Sequence, residues 1–310
     1  MRPMCRALLY LGEPVLLDDL LYQPDSALVR QATMPKMLHM LNLAGFGLRA
    51  WDRGSRGPEK PWAYCSTELP VFDRNLKNLA EKVEAGAVLA HVRGVAYNTT
   101  VDISLANVHP FQFPGCALAM AHNGDLARFA ELKPALAAHV PAALARHVRG
   151  TTDSEWIYAL VLAGLRHPLA VPEGTDLVDA IARALAIIRS ERQKLGIDVS
   201  SSVNLFFADG TQIAAVRYCF DFGRYATQDA ARMHEANLSF LSLWYTLGRG
   251  YGLHGGEWKM TGGAEAARSI LVSSEPLTRD VASWVEVPEY SVLHARIGDG
   301  RPDVSVRYLD

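Results

Sequence analysis

The residues of this chain best suited to chemistry are a cysteine close to its start and two polar motifs far downstream. The cysteine is Cys5, in Met4-Cys5-Arg6-Ala7-Leu8-Leu9-Tyr10; the motifs are His122-Asn123-Gly124-Asp125 and Gly150-Thr151-Thr152-Asp153-Ser154-Glu155. Thiolate is the nucleophilic form of cysteine, and an ordinary thiol is mostly protonated at neutral pH. An α-amine titrates near about 7.7–8.0, so a residue at a chain terminus can be deprotonated by its own amine, as N-terminal threonine nucleophiles are. Cys5 meets that condition once the four residues ahead of it are gone, through initiation at Met4 and removal of that methionine, or through clipping of a short leader. Otherwise it reads as a small buried cysteine in an edge strand.

The other groups also carry two readings. An Asn side-chain amide beside a Gly backbone N–H offers two donors to a developing oxyanion, while Asn-Gly is also a common turn pair. Arg93 closes His91-Val92-Arg93 and can grip a carboxylate bidentately or form a surface ion pair. Asp153 can hold an ammonium group or cap a helix. Together, Arg93 and Asp153 would clamp the two ends of an α-amino acid. Asn107-Val108-His109-Pro110-Phe111 reads as a structural loop, with Phe111 packing and His109 satisfying backbone groups.

These groups need rigid elements to aim them. Residues 5–11, 45–51 and 62–66 read as short buried strands. Residues 73–85 set Leu76, Leu79, Ala80 and Val83 on one helical face, with Gly86 as the stop. Two apolar runs of strand length, 87–92 and 116–121, end at Arg93 and His122, which puts both motifs where strand gives way to loop. Thr152 to Glu155 fits a capping box, opening a helix whose buried stripe is Trp156, Ile157, Leu160, Val161 and Leu165. Residues 176–194 repeat that pattern through Leu177, Ile181, Leu185 and Ile188. Asp209-Gly210 between two β-rich runs predicts a hairpin. A helix is expected over 230–247, before a stretch rich in glycine, and strands return at 270–273, 291–296 and 304–309. Strands lead and close the chain with helices grouped between them, which predicts an α+β layered domain rather than alternating βαβ units.

Bulk properties exclude several classes of function. The chain has 310 residues, 49% of them hydrophobic, and a formal net charge of -2. That length suffices for one large domain or two small ones. With no basic run, neither nucleic acid nor an anionic membrane is an expected partner. Cys5, Cys65, Cys116 and Cys219 form no Cys-x-x-Cys pair, which argues against zinc and against a disulfide framework and fits a reducing cytoplasm. No metal and no cofactor are expected. The N-terminus lacks the pattern of a cleaved signal peptide, and no run reaches the roughly 18 uncharged apolar residues of a membrane helix.

Taken as an ordered set, the motifs resemble the class II, or N-terminal nucleophile, glutamine amidotransferase domain. The set comprises Met-Cys-Arg near the start, Gly45-Phe46-Gly47, His91-Val92-Arg93, Asn107 to Phe111, His122-Asn123-Gly124 and Thr152 to Glu155. Gly12-Glu13-Pro14-Val15 and Ser274-Glu275-Pro276-Leu277-Thr278 with Trp284 and Pro288 are similar to the opening and closing segments of the family's stand-alone branch. That branch includes the ergothioneine-pathway γ-glutamyl hydrolases and the amidotransferase-like subunits of glutathione degradation. The resemblance implies a four-layer αββα sandwich and a glutamyl-thioester mechanism. Cys5 would attack the γ-glutamyl carbonyl and its freed amine would shuttle the proton. Asn123 and the Gly124 N–H would form the oxyanion hole. Arg93 would bind the substrate α-carboxylate and Asp153 its α-ammonium.

Three features depart from the family's pattern. Residues Met1-Arg2-Pro3 precede the usual start and would block the amine; Ala96 stands where a Thr often helps hold the carboxylate; and Ala44 replaces an acidic residue before the Gly-Phe-Gly segment. Tyr97 and Thr99 are candidates to supply the missing hydroxyl. A single amidotransferase-like domain is expected over 1–310, leaving no synthase domain, with 221–263 as a family-specific insertion. Hydrolysis of a γ-glutamyl amide, in glutamine or a γ-glutamyl conjugate, ranks first among the functions. A glutaminase subunit that hands ammonia to a separate synthase ranks second, and a non-catalytic binding or regulatory protein third. The loops 52–61 and 221–263 are expected to set specificity, and the apolar run 238–247 either to cover the site or to dock a neighbour, so a homo-oligomer stays open.

Overall fold

Apolar side chains in near-continuous runs make the strands of this chain, and those strands stack as two sheets. The computed structural model describes residues 5–36, 41–57, 59–95, 101–224, 229 and 241–309. Its strands are β1 (Arg6–Leu16), β2 (Phe46–Trp51), β3 (Trp62–Ser66), β4 (Glu84–Val92), β5 (Ala119–Gly124), β6 (Ser201–Ala208), β7 (Gln212–Phe220), β8 (Trp244–Gly248), β9 (Tyr251–His254), β10 (Glu257–Met260), β11 (Ser269–Ser273), β12 (Val285–Glu286), β13 (Ser291–Gly298) and β14 (Arg301–Tyr308). The first sheet runs β12-β8-β11-β1-β4-β2-β3 and the second β14-β13-β7-β6-β5, while β9 and β10 form a separate hairpin. The helices are α1 (Leu17–Leu21), α2 (Leu28–Gln31), α3 (Arg74–Ala80), α4 (Phe129–Ala137), α5 (Ala142–Ala145), α6 (Asp153–Gly164) and α7 (Asp176–Lys194).

Side chains alternate across a strand, so each sheet serves two apolar layers. Leu8 and Tyr10 of β1 face outward, with Phe46 and Leu48, against Leu17, Leu20, Leu28 and Leu76 of α1–α3. Ala7, Leu9 and Leu11 of the same strand face inward, joining Leu89, Ala119, Ala121, Phe206, Ile213 and Leu293 between the sheets. The outer face of the second sheet packs Val203, Leu205, Phe207 and Val216 under Ile157, Leu160, Leu177, Ile181 and Ile188 of α6 and α7. The result is the four-layer αββα sandwich expected from the motif set. Each buried Leu or Phe contributes roughly 1.5–3 kcal/mol of transfer free energy.

Several local expectations hold. The Asp209-Gly210 hairpin joins β6 to β7, with Ala208 opposite Ile213, and α7 spans the predicted 176–194. Others need correction. α3 stops at Ala80, Leu79 is 39% exposed, and Gly86 lies inside β4 rather than ending a helix. The apolar run 87–92 extends backward to Glu84 because β1 also pairs Val15 with Ala85 and Leu16 with Glu84. β5 starts at Ala119 and continues through Gly124, pairing Asn123 with Asn204, so the His-Asn-Gly motif ends a strand rather than following one. Residues 244–247, expected at the end of a helix, belong instead to β8, which runs along β11; 225–228 and 230–240 lie outside the described residues. Helices are also not confined to the middle of the chain, since α1–α3 interleave with the first strands. Among the described residues no helix is long and apolar enough to cross a membrane.

Candidate active site

The alternation that fills the space between the sheets also aims the polar residues at one end of it. Ala7, Leu9 and Leu11 face inward from β1, and Cys5 precedes them in the same phase. Ala87 and Leu89 face inward from β4, and His91 and Arg93 continue that series. Ala119 and Ala121 do so from β5, and Asn123 follows. Three neighbouring inward faces thus change from apolar to polar at the same end of the sandwich.

Cys5 is 7% exposed, with its sulfur beside the Gly94 backbone. The Gly94 N–H donates to Sγ at 3.3 Å, and Sγ lies 3.6 Å from the Gly94 carbonyl oxygen. Burial pushes the thiol's pKa up; the Gly94 hydrogen bond and then the Arg93 and Arg6 guanidinium groups pull it down, and the Asp153 carboxylate pushes it up again. These influences bring Cys5, Arg93 and Asp153, three of the five predicted site residues, into one neighbourhood. Asn123 joins them by a hydrogen bond, and Gly124 follows Asn123 in the chain.

The Cys5 backbone nitrogen donates to Asn123 Oδ1 at 2.9 Å, a bond across 118 residues of sequence. That contact turns the amide so that Nδ2 points the other way, and Nδ2 has no acceptor among the described residues. Gly124 has φ +143, and a Cβ there would meet the Ser202 carbonyl oxygen at 1.8 Å. Only glycine fits this close approach of β5 to β6.

Arg93 is 6% exposed and donates through Nη1 to the Asp102 carbonyl oxygen at 3.1 Å. No carboxylate oxygen pairs with it among the described residues, and burial lowers its pKa. A buried guanidinium without an anion is a site for one. Asn107 braces this segment: its Nδ2 donates to the Asp102 carbonyl and carboxylate and to Thr151 Oγ1, and its Oδ1 accepts from the Thr151 N–H at 2.8 Å. Ala96, Tyr97 and Thr99 lie outside the described residues.

Asp153 opens α6 and is partly committed, Oδ2 accepting from the Leu126 N–H at 2.6 Å and Oδ1 from Ser154 Oγ at 3.1 Å. Its side chain keeps 14% exposure. The capping box is not formed. Thr152 holds the N-cap position without a side-chain cap. Glu155 instead accepts from the Arg149 and Gly150 N–H groups at 3.1 and 2.5 Å. Its carboxylate is buried, and those amides turn toward it just before the helix.

Sequence reasoning missed three supporting features. Arg6 and Glu275 form a buried ion pair at 2.8 Å; Arg6 Nη1 also donates to the Cys5 carbonyl at 3.0 Å, and Glu275 Oε2 accepts from the Lys36 N–H. The conjunction of Met-Cys-Arg with Ser274-Glu275-Pro276 was the available signal. Gly94 contributes backbone groups, which leave no trace in side-chain types. His109, expected to satisfy backbone groups, places Nδ1 3.1 Å from His91 Nε2 instead. Gly47 makes room for that loop, since a Cβ there would meet the His109 carbonyl oxygen at 2.0 Å.

Comparison with known proteins converges on one family. A family model described as class-II glutamine amidotransferases matches residues 58–230. The chain is 28% identical over 308 residues to the probable glutamine amidotransferase DUG3 of Saccharomyces cerevisiae, covering 94% of this chain and 81% of that one. Among solved structures, a glutamine aminotransferase class-II domain protein from Silicibacter pomeroyi aligns over 99% of this chain and 100% of its own, at 20% identity and TM-score 0.57. Glutamine phosphoribosylpyrophosphate amidotransferase from B. subtilis aligns over 97% of this chain and 49% of its own, at 17% identity and TM-score 0.55.

Proposed function

The chain belongs to the class II glutamine amidotransferases, and from that premise we propose that it cleaves a γ-glutamyl amide bond, in glutamine or a γ-glutamyl conjugate, with Cys5 as the nucleophile. Maturation leaves Cys5 as the first residue. Its α-amine takes the thiol proton while sulfur bonds to the γ-carbonyl carbon. The carbonyl oxygen becomes an oxyanion that accepts hydrogen bonds from Asn123 Nδ2 and the Gly124 N–H. Collapse of this intermediate breaks the C–N bond, and the leaving amine departs with the proton. Water then attacks the glutamyl thioester, giving glutamate and restoring the thiol. Arg93 holds the α-carboxylate of the substrate and Asp153 its α-ammonium.

The observation that carries this reading is the 2.9 Å bond from the Cys5 nitrogen to Asn123 Oδ1. It sets the nucleophile's main chain against the one side-chain amide of the His-Asn-Gly motif and leaves Nδ2 free to donate. The anion-free guanidinium of Arg93 supports the substrate class. Backbone N–H and amide donors held in a water-poor site are the largest single aid to acyl transfer. A free amine at Cys5 could keep the same bond to Asn123 and still accept the thiol proton.

The test is a panel of γ-glutamyl compounds, from glutamine to γ-glutamyl peptides, offered to protein whose first residue is verified as Cys5. Release of glutamate without an added partner supports the reading. Turnover that needs a synthase and its nucleotide assigns the protein to ammonia supply. Absence of turnover with every compound rejects both.

A further inference from the structure

We infer that His91 is a positioning residue for the hydrolysis proposed above: its imidazole ties the strand bearing Asn123 to the sheet bearing Cys5 and Arg93, and so fixes the oxyanion donors relative to the nucleophile. The inference rests on that functional reading and concerns a residue to which it gave no task. His91 sits on β4 opposite Ala7, two residues from Cys5, and two residues before Arg93. Its side chain points into the space between the sheets and is fully buried. Nε2 lies 3.2 Å from the carbonyl oxygen of His122, which belongs to the peptide leading into Asn123. β4 and β5 lie in different sheets, so no backbone ladder joins them and a side chain must.

The proton assignment follows from the partners. A carbonyl oxygen only accepts, so His91 Nε2 carries the hydrogen. His109 Nδ1, 3.1 Å from the same atom, is then a lone pair beside that hydrogen. The His109 ring is held edge-on between His91 and Phe111, with ring centroids 4.3 and 4.5 Å away. His91 Nδ1 has no partner among the described residues, so a second proton there would find no acceptor. Burial agrees, holding His91 neutral with its pKa pushed down to about 3.

His122 faces the other way, toward the helical layer. Its Nδ1 lies 2.9 Å from Ser154 Oγ, which donates to Asp153 Oδ1. The one residue therefore takes His91 at its carbonyl and Ser154 at its ring. Loss of the His91 bond frees the His122–Asn123 peptide on the side facing Cys5. Misplacement of a donor by about 1 Å costs on the order of 100-fold in rate, whereas Arg93 and Asp153 keep their own supports.

The experiment compares the full mature chain with His91→Leu and His91→Gln. Leu removes the donor, and Gln offers an N–H at similar reach. With a γ-glutamyl amide that the parent protein turns over, His91→Leu should lose kcat by about 10- to 100-fold with KM within about twofold. His91→Gln should regain most of that loss, and both should melt within a few degrees of the parent. Unchanged kcat in His91→Leu, or parallel losses in kcat and KM that Gln does not rescue, overturns the inference. Imidazole nitrogen NMR on the parent protein decides the matter separately from turnover. A proton on His91 Nε2, together with amide shifts at Asn123 and Gly124 in His91→Gln, supports the tie; a proton on Nδ1 overturns it. If no γ-glutamyl compound is cleaved but the NMR result holds, the functional reading fails and the tie stands.

Discussion

The space between the two sheets has an apolar depth and a polar mouth, built by the same faces of the same strands. In the depth, β1, β4 and β5 contribute Leu9, Leu11, Ala87, Leu89, Ala119 and Ala121. At the mouth they contribute Cys5, His91, Arg93 and Asn123, all buried. The period of 2 that fills a core therefore also aims the chemistry. The two regions differ in what a side chain does: in the depth volume matters, and at the mouth the placing of hydrogen bonds does, as where the Cys5 nitrogen meets Asn123 Oδ1 and His91 Nε2 meets the His122 carbonyl. Substitutions should separate accordingly into effects on folding and effects on rate.

The largest expected effect is at the mouth. Cys5→Ala should lower turnover by about 10⁴-fold or more while thermal melting stays within a few degrees, because a small buried thiol gives way to a methyl group. A melting point that fell with the activity would break the distinction. Asn123→Ala should cost about 10²–10³-fold in kcat, read by steady-state kinetics with KM little changed. In the depth, Leu9→Ala should destabilise by about 2–5 kcal/mol, read by denaturant unfolding, while the folded fraction keeps its kcat. A selective loss of kcat in Leu9→Ala would show that depth and mouth are coupled.

Acid should probe the mouth by another route. His91, His109 and His122 are buried, and desolvation lowers the pKa of each. Below about pH 6.5 the unfolded chain takes up protons that the folded chain refuses, so stability falls as pH falls from there toward the folded values, and is fully present above it. For His91 the expected slope is about 1.4 kcal/mol per pH unit in that window. Denaturant midpoints across pH 4–7 measure it, and His91→Leu should remove one proton's share.

What the sequence made legible follows from how local each signal is. The Asp209-Gly210 hairpin and the limits of α7 depend on neighbours in the chain, and they were readable. The proposed site residues came from short, ordered motifs, and the structure brings Cys5, Arg93, Asn123 and Asp153 close together. β8 was read as helix because its strand state comes from pairing with β11, distant in sequence. Glu155 was assigned to Thr152 because the pattern cannot reveal that the amides of Arg149 and Gly150 fold back to it. The grip of Gly94 on Cys5 Sγ uses backbone atoms. The contact of His109 with His91 depends on a loop passing over Gly47. Neither has a composition that announces it.

The central claim is that Cys5, at the head of the mature chain, is the reacting atom's owner. Intact-mass analysis and peptide mapping after exposure to a glutamine-like diazo-ketone test it most directly. The account predicts a chain beginning at Cys5, one adduct on its sulfur, protection by glutamine or the true γ-glutamyl substrate, and no adduct in Cys5→Ala. An adduct on Cys65, Cys116 or Cys219, or turnover by protein that still begins at Met1, would contradict it.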